Sequence, residues 1–217
     1  MVQPTPNHSD SLYEAILDEI SSGRLVGGQR LKISDLSKRY GVSASPVRET
    51  LRQMQGEGFV EIHQNRGATI KQADSSTIQN IFEVLKLLEP YFVGWFAENA
   101  DPAIVKELRT LQKHLKAAET GQMAQFRKLD SEFHGLICQY HYNQVAAETW
   151  KKLRTALNVH AAPLRISATR HATILQEHDA LIAAFEANDA AEADRVIRQH
   201  VDGSFTQMSQ QMRALGI

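Results

Sequence analysis

One cysteine, Cys138, stands in a chain of 217 residues, so no disulfide can close within it and a reducing compartment is expected. That thiol reads as a small core hydrophobe. No apolar run approaches the roughly 18 residues that cross a bilayer, which excludes a membrane helix. The opening MVQPTPNHSD is polar and proline-containing and lacks the pattern of a secretory signal. Net charge is nearly absent too, because 24 Lys+Arg against 25 Asp+Glu leave −1. Any attraction for nucleic acid must therefore be local. A cytoplasmic, soluble protein is the expectation. With 42% hydrophobic residues, the chain has room for a small module of about 70 residues and one larger core-bearing domain.

The local charge is found between residues 30 and 71. Eight Lys/Arg stand there against four Asp/Glu, in RLKISDLSKRYGVSASPVRETLRQMQGEGFVEIHQNRGATIK. Leu36 and Tyr40 sit four apart on a helix that the spacing starts with Ser34 as its cap and ends at Gly41, a left-handed turn residue. Ser45 is expected to cap a second helix with Pro46 at its first position, and Val47, Leu51 and Met54 form its buried stripe. FVEIH, a tight turn at Gln64-Asn65-Arg66-Gly67, and ATIK then make a two-stranded ribbon with a basic tip. Two short helices followed by such a ribbon are a winged helix-turn-helix, which puts a helix amino end into the major groove of double-stranded DNA. Arg48 is positioned for a bidentate contact to guanine, worth about 1–3 kcal/mol of discrimination. Ser43, Ser45 and Thr50 can donate to phosphates, with Arg52, Gln53, Arg66 and Gly67 completing the expected DNA-binding set. The competing reading is a helix-turn-helix used only for packing or protein contacts.

The run GVSASPVRETLRQMQGEGFVEIHQNRGATI resembles the DNA-binding signature of the GntR family of bacterial transcription regulators, over about 60 residues. That family commonly has Arg where this chain has Ala44, and the resemblance therefore implies a DNA reader whose operator differs from the usual family site.

Beyond residue 73 no segment alternates with period two. Asp74 caps a run through Ile78, Ile81, Phe82, Leu85, Leu88, Phe92 and Phe96, in which Pro90 is expected to kink or break the helix. Asp101-Pro102 starts the next helix, with Ile104, Leu108, Leu111 and Leu115, ending near Gly121. Further helices are expected at about 123–140, 143–160, 169–187 and 189–213. Six antiparallel helices make a bundle, so the fold class is mainly α, with a flexible N-terminus over 1–8, a winged helix-turn-helix over 9–73 and the bundle over 74–217.

Asp130 and His134 are four residues apart in RKLDSEFHGLI and share a helix face. His178 and His200 lie beside the apolar stripes of two later helices. Three imidazoles and a carboxylate converging in a bundle would suit a divalent ion such as Zn²⁺, Ni²⁺ or Mn²⁺, with one or two positions left for a ligand oxygen. The alternative, isolated core or surface histidines, stays open from spacing alone, because only the fold can close the 178 − 134 = 44 residue gap.

The pattern Asp-x-x-Phe-His, then Glu-His ahead of an Ala-Asn-Asp turn, then a final His, resembles the ligand-binding C-terminal domain of the FadR-type branch of the GntR family, the FCD domain, over residues 74 to 217. The helix count is similar to the shorter, VanR-like type. The resemblance implies metal ligands at Asp130, His134, His178 and His200, with an organic acid approaching the open side. Relatives of that type often carry Arg where this chain has Leu85. Lys86 would face roughly 100° away, which leaves Arg154, Asn158 and Arg165 as pocket residues. His114 is expected in solvent, His160 and His171 near a pocket mouth, and Trp95 and Trp150 in the packing.

The implied protein is a metabolite-responsive regulator, a repressor, whose homodimer sets two readers on a pseudo-palindromic operator. Two other classes compete. One is a metal-dependent enzyme using Glu177 or Glu132 as base; the other is a DNA-binding protein whose metal is purely structural.

Overall fold

The computed structural model describes residues 8–64, 66–72, 74–118 and 123–216. They form two compact units, one built from residues up to 72 with Val159–Pro163, the other from Asp74–Asn158 and the chain from Leu164 onward. Of the N-terminal segment expected to be flexible, residues 1 to 7 lie outside the described residues, while His8 already opens a helix.

In the first unit, helix α1 (His8–Ser21) buries Leu12, Ile16, Leu17 and Ile20, an i, i+4, i+5, i+8 stripe. Strand β1 (Arg30–Leu31) leads into α2 (Ile33–Tyr40) and α3 (Ala44–Gly56). Strands β2 (Val60–His63) and β3 (Gly67–Ile70) follow. The ribbon expected from the sequence has a third strand: the order is β1-β3-β2, antiparallel, with Arg30 opposite Thr69 and Ile62 opposite Ala68. Val47, Leu51 and Met54 are buried as their spacing requires.

Both expected helix starts shift. Helix α2 begins a residue before Ser34, with Lys32 at its cap position, so the Ser34 hydroxyl bonds the Asp35 carboxylate instead of a backbone N–H. Helix α3 is preceded by Ser43, which makes Ser45 and Pro46 its second and third residues. Pro46 is tolerated there because the first four amides of a helix have no intrahelical acceptor. Gly41 does supply the left-handed turn, at φ 67°. Asn65 of the expected wing turn lies outside the described residues.

Six described helices follow, α4 (Ser75–Asn99), α5 (Pro102–Ala117), α6 (Met123–Tyr140), α7 (Gln144–His160), α8 (Ala168–Glu186) and α9 (Ala190–Leu215), and all but the last two residues of α7 belong to the second unit. Asp74 accepts the Ser76 and Thr77 amides, and bonds from Ser76 and Thr77 bring its carboxyl down to about 2. Asp101 caps α5, with Pro102 where a missing N–H costs nothing. Pro90 does not break α4, which runs on to Asn99. The expected α5 end at Gly121 falls outside the described residues, and the helix closes at Ala117. Its buried face centres on Val105, Leu108, Gln112 and Leu115, turned slightly from the expected Ile104 and Leu111. Helix α9 packs along α4 and α8, while α5 lies against α6 and α8. Phe96 and Phe185 meet edge-to-face at 4.7 Å in the core.

Candidate functional site

A cleft of about 480 Å³ lies between α3 and the wing, edged by Arg30, Lys32, Arg48, Arg52 and Arg66. Of the expected DNA-binding residues, Ser43, Ser45, Arg48, Arg52, Gln53 and Arg66 are exposed. Two are not. Thr50 shares the inward stripe with Val47, Leu51 and Met54, is 1% exposed, and so offers no hydroxyl to a phosphate. Gly67 is buried at φ 88°, and a Cβ there would overlap the Leu31 carbonyl, so it serves the close approach of β3 to β1. Arg30 and Lys32 were not foreseen. Their signal was the Arg-Leu-Lys alternation ahead of α2, which turns Leu31 inward and both cations outward. Arg30 donates through Nε and an Nη to the Arg66 carbonyl, at 3.1 and 2.9 Å, and ties the wing tip to β1.

The second constellation is interior. Helix α6 brings Asp130 and His134 one turn apart, α8 brings His178 and α9 brings His200, and one donor atom from each lies within 4.8 Å of all the others. His178 Nε2 is 3.2 Å from His134 Nε2 and 3.5 Å from Asp130 Oδ1. Metal–donor bonds of about 2.0–2.1 Å to one ion would set neighbouring donors about 2.9–3.4 Å apart, which the 3.2 Å pair meets and the 3.5 Å pair nearly meets, while wider pairs within the 4.8 Å limit would draw in on binding. The chemistry fits as well. Asp130 Oδ2 accepts from Arg154, whereas Asp130 Oδ1 is buried without a hydrogen-bond partner and faces the imidazoles. Burial would raise the Asp130 carboxyl, but Arg154, His178, His200 and Arg170 together hold it below its usual range. Burial pushes His178 down to about 3 and His134 well below its ordinary value. Both rings are therefore neutral near pH 7, the form that binds a cation.

Around these four side chains lies a second set. His200 Nδ1 is 2.8 Å from Glu177 Oε2, and Arg170 donates to Glu177 Oε1 at 3.0 Å. Glu89 Oε1 accepts the Trp150 indole N–H at 3.1 Å and lies 3.8 Å from Arg154, while Glu89 Oε2 is 4.0 Å from His134 Nδ1. Glu89, Arg170 and Arg127 were missed. Glu89 was legible, since Phe82, Leu85, Glu89, Phe92 and Phe96 keep one buried stripe and a carboxylate within it signals an interior partner.

Arg154 points inward to Asp130, and Asn158 donates to Ser131 Oγ at 3.1 Å, beside the cluster. Arg165 is not brought there; its side chain is exposed and its backbone is what Gln207 and Gln211 hold. Leu85 is fully buried, and Lys86 turns away to pair Asp202 at 2.7 Å. His114 is exposed, while His160 and His171 are buried, the latter 4.3 Å from the Phe126 ring. Trp150 packs as expected and Trp95 lies half-buried against Tyr140 and Tyr142. Glu132 is exposed and both Glu177 oxygens are engaged, which leaves neither as a free base.

Two domain families match the chain: bacterial regulatory proteins, gntR family, over residues 8–70, and the FCD domain over residues 80–203. The HTH-type transcriptional regulator YdhC of Bacillus subtilis is 24% identical over 181 residues, covering 81% of this chain and 79% of its own. The HTH-type transcriptional repressor RspR of Escherichia coli is 22% identical over 205 residues, covering 92% of this chain and 88% of its own. Among solved structures, E. coli McbR/YncC matches with a TM-score of 0.85 at 21% identity, over 95% of this chain and 99% of that one. This last likeness speaks for the fold. The families and relatives are transcriptional regulators and not enzymes, which sets the reading as a metal-dependent enzyme aside.

Proposed function

The chain belongs to the gntR family of bacterial regulatory proteins and carries an FCD domain, and on that premise we propose that it is a repressor controlled by an organic acid at a metal ion. Residues 9–73 read DNA; residues 74–217 hold the ion and the acid and form the homodimer. The regulator works in the cytoplasm. Its repressor sense follows the naming of the E. coli relative.

The observation that carries this reading is the interior charge around the cluster. Arg154 pairs with Asp130 and lies near Glu89, Arg170 pairs with Glu177, and Arg127, whose guanidinium donates to the Leu164 carbonyl, feels the charge of Asp130, so that three carboxylates and three guanidiniums are all buried or nearly so. Formal charge therefore cancels before an ion enters. A divalent cation, held by Asp130, His134, His178 and His200, leaves two positive charges uncompensated in a low-dielectric interior, and an acid is what balances them. Zinc suits three imidazoles and one carboxylate best, with nickel or manganese as the alternatives. When bound, the ion supplies a Lewis-acidic positive centre. Arg154 supports the carboxylate of the acid, and Asn158 with Ser131 provides neutral hydrogen-bonding groups next to it. The Leu85 side chain gives that wall no charge, so Arg154 on α7 is the cation available to the acid.

Control is thermodynamic. Acid binding favours one disposition of the two readers over another on a pseudo-palindromic operator, and linkage requires the operator to change acid affinity by the same factor. On the DNA, Arg48 reads a guanine while Ser43, Ser45, Arg52, Gln53 and Arg66 serve backbone and flanking contacts.

A thermal-shift screen of organic acids on zinc-loaded protein, repeated on His134→Ala, tests the reading. An acid at 100 times its Kd is expected to stabilise the fold by about 2.7 kcal/mol, an effect lost in the variant. Stabilisation by zinc but by no acid would overturn the effector assignment and leave a structural metal.

A further inference from the structure

We infer that Arg170 and Glu177 are positioning residues that fix His200 for the ion; this rests on the metal reading above. Arg170 and Glu177 stand seven residues apart on α8, two turns along one face. Arg170 donates one Nη to Glu177 Oε1 at 3.0 Å, and its other Nη to the His200 carbonyl at 2.7 Å and to Ser204 Oγ at 2.9 Å. Glu177 Oε2 meets His200 Nδ1 at 2.8 Å. His200 is thus gripped twice, by its ring through Glu177 and by its backbone through Arg170. With Nδ1 committed to a carboxylate, Nε2 is the ring nitrogen left for the ion.

The other two imidazoles have no such support. His134 Nδ1 is 4.0 Å from Glu89, and His178 Nδ1 is buried with no hydrogen-bond partner. His200 is therefore the imidazole whose ring is fixed by a hydrogen bond before an ion arrives. A second observation points the same way. A Cβ at Gly203 would lie 2.7 Å from an Arg170 Nη and 3.0 Å from its Cζ. Glycine inside a helix is less favourable than alanine, and here its missing side chain is the space the guanidinium occupies.

The test uses full-length protein stripped by a chelator and titrated with Co²⁺, reading the visible d–d absorption and competition with a chromophoric chelator. Glu177→Ala is expected to weaken Co²⁺ binding about 10- to 100-fold and to change the band shape. Glu177→Gln, which still accepts from Nδ1–H, is expected to recover part of that loss. Gly203→Ala displaces Arg170 without touching Glu177 or a ligand, and is expected to shift affinity in the same direction by less. It also carries the test if Glu177→Ala does not fold. If wild type binds Co²⁺ no better than His200→Ala, the metal reading itself fails. If His200→Ala loses affinity while the Glu177 and Gly203 variants bind like wild type, the positioning role is overturned, even should those variants melt lower, because Arg170–Glu177 would then be only a clip between α8 and α9.

Discussion

The two units place polarity in opposite ways. Between residues 12 and 72, Thr50 is the only fully buried polar side chain among those described, and every cation beside the wing is exposed. The helical unit instead buries Glu89, Arg127, Asp130, Arg170, Glu177 and the three converging histidines. A partner as large as DNA is met from outside, so a dry core need only hold a charged surface in shape. The ion proposed for the bundle would be met from within, so each interior charge must find a partner of its own. The reader is therefore sensitive to what its surface carries, the bundle to what its core pairs.

The largest expected effect breaks the interior set. Asp130→Ala takes from the part-buried Arg154 its nearer carboxylate and leaves it only Glu89 at 3.8 Å, and should cost the metal-free bundle about 3 kcal/mol in chemical denaturation. DNA binding at low salt, measured alongside, is expected to persist; equal stability of variant and wild type would deny that the pair holds the core.

Acid sharpens the contrast. In chelator-stripped protein the buried His134 and His178 stay neutral in the folded chain, whereas the unfolded chain takes up their protons below about pH 6.5. Stability is therefore complete above that pH and falls as the solution is acidified. At pH 5.5 the loss should be about 1 kcal/mol for each ring, seen by urea titration at pH 7.5 and 5.5. A flat profile would mean that the rings are not held neutral.

On the reader, Arg48→Ala should cost about 1–3 kcal/mol of operator affinity in fluorescence anisotropy, with an unchanged melting temperature. The smallest effect is expected from Thr50→Val. Because that hydroxyl is buried and has no hydrogen-bond partner, its removal should leave operator affinity within about 0.5 kcal/mol and stability no lower. A large loss of DNA binding in this variant would restore Thr50 to the interface.

Much of this contrast was legible in the chain. Gly41, the stripe Val47-Leu51-Met54 and the FVEIH alternation place α2, α3 and the wing, because turn chemistry and periodicity act over a few residues. Caps were less legible: Ser34 and Ser45 are good capping residues by type, yet each helix is capped two residues earlier, at Lys32 and Ser43. The convergence of His134, His178 and His200 came from a resemblance, since spacing carries no information on which helices touch. Arg154 was ambiguous for a related reason: TWKKLRTAL reads equally well as a solvated face, and only Asp130 on another helix explains its inward turn. Thr50 and Gly67 show the reverse error, in which residue types suited to DNA contact serve packing.

The single cysteine acquires a use in this light. Cys138 is 3% exposed, sits one turn after His134 on α6, and burial holds its thiol well above the ordinary value. A native thiol so placed reacts with an aqueous disulfide reagent only when α6 opens. The rate of that one reaction is a built-in clock for breathing of the bundle around the ion site, readable in the unmodified protein with no probe attached.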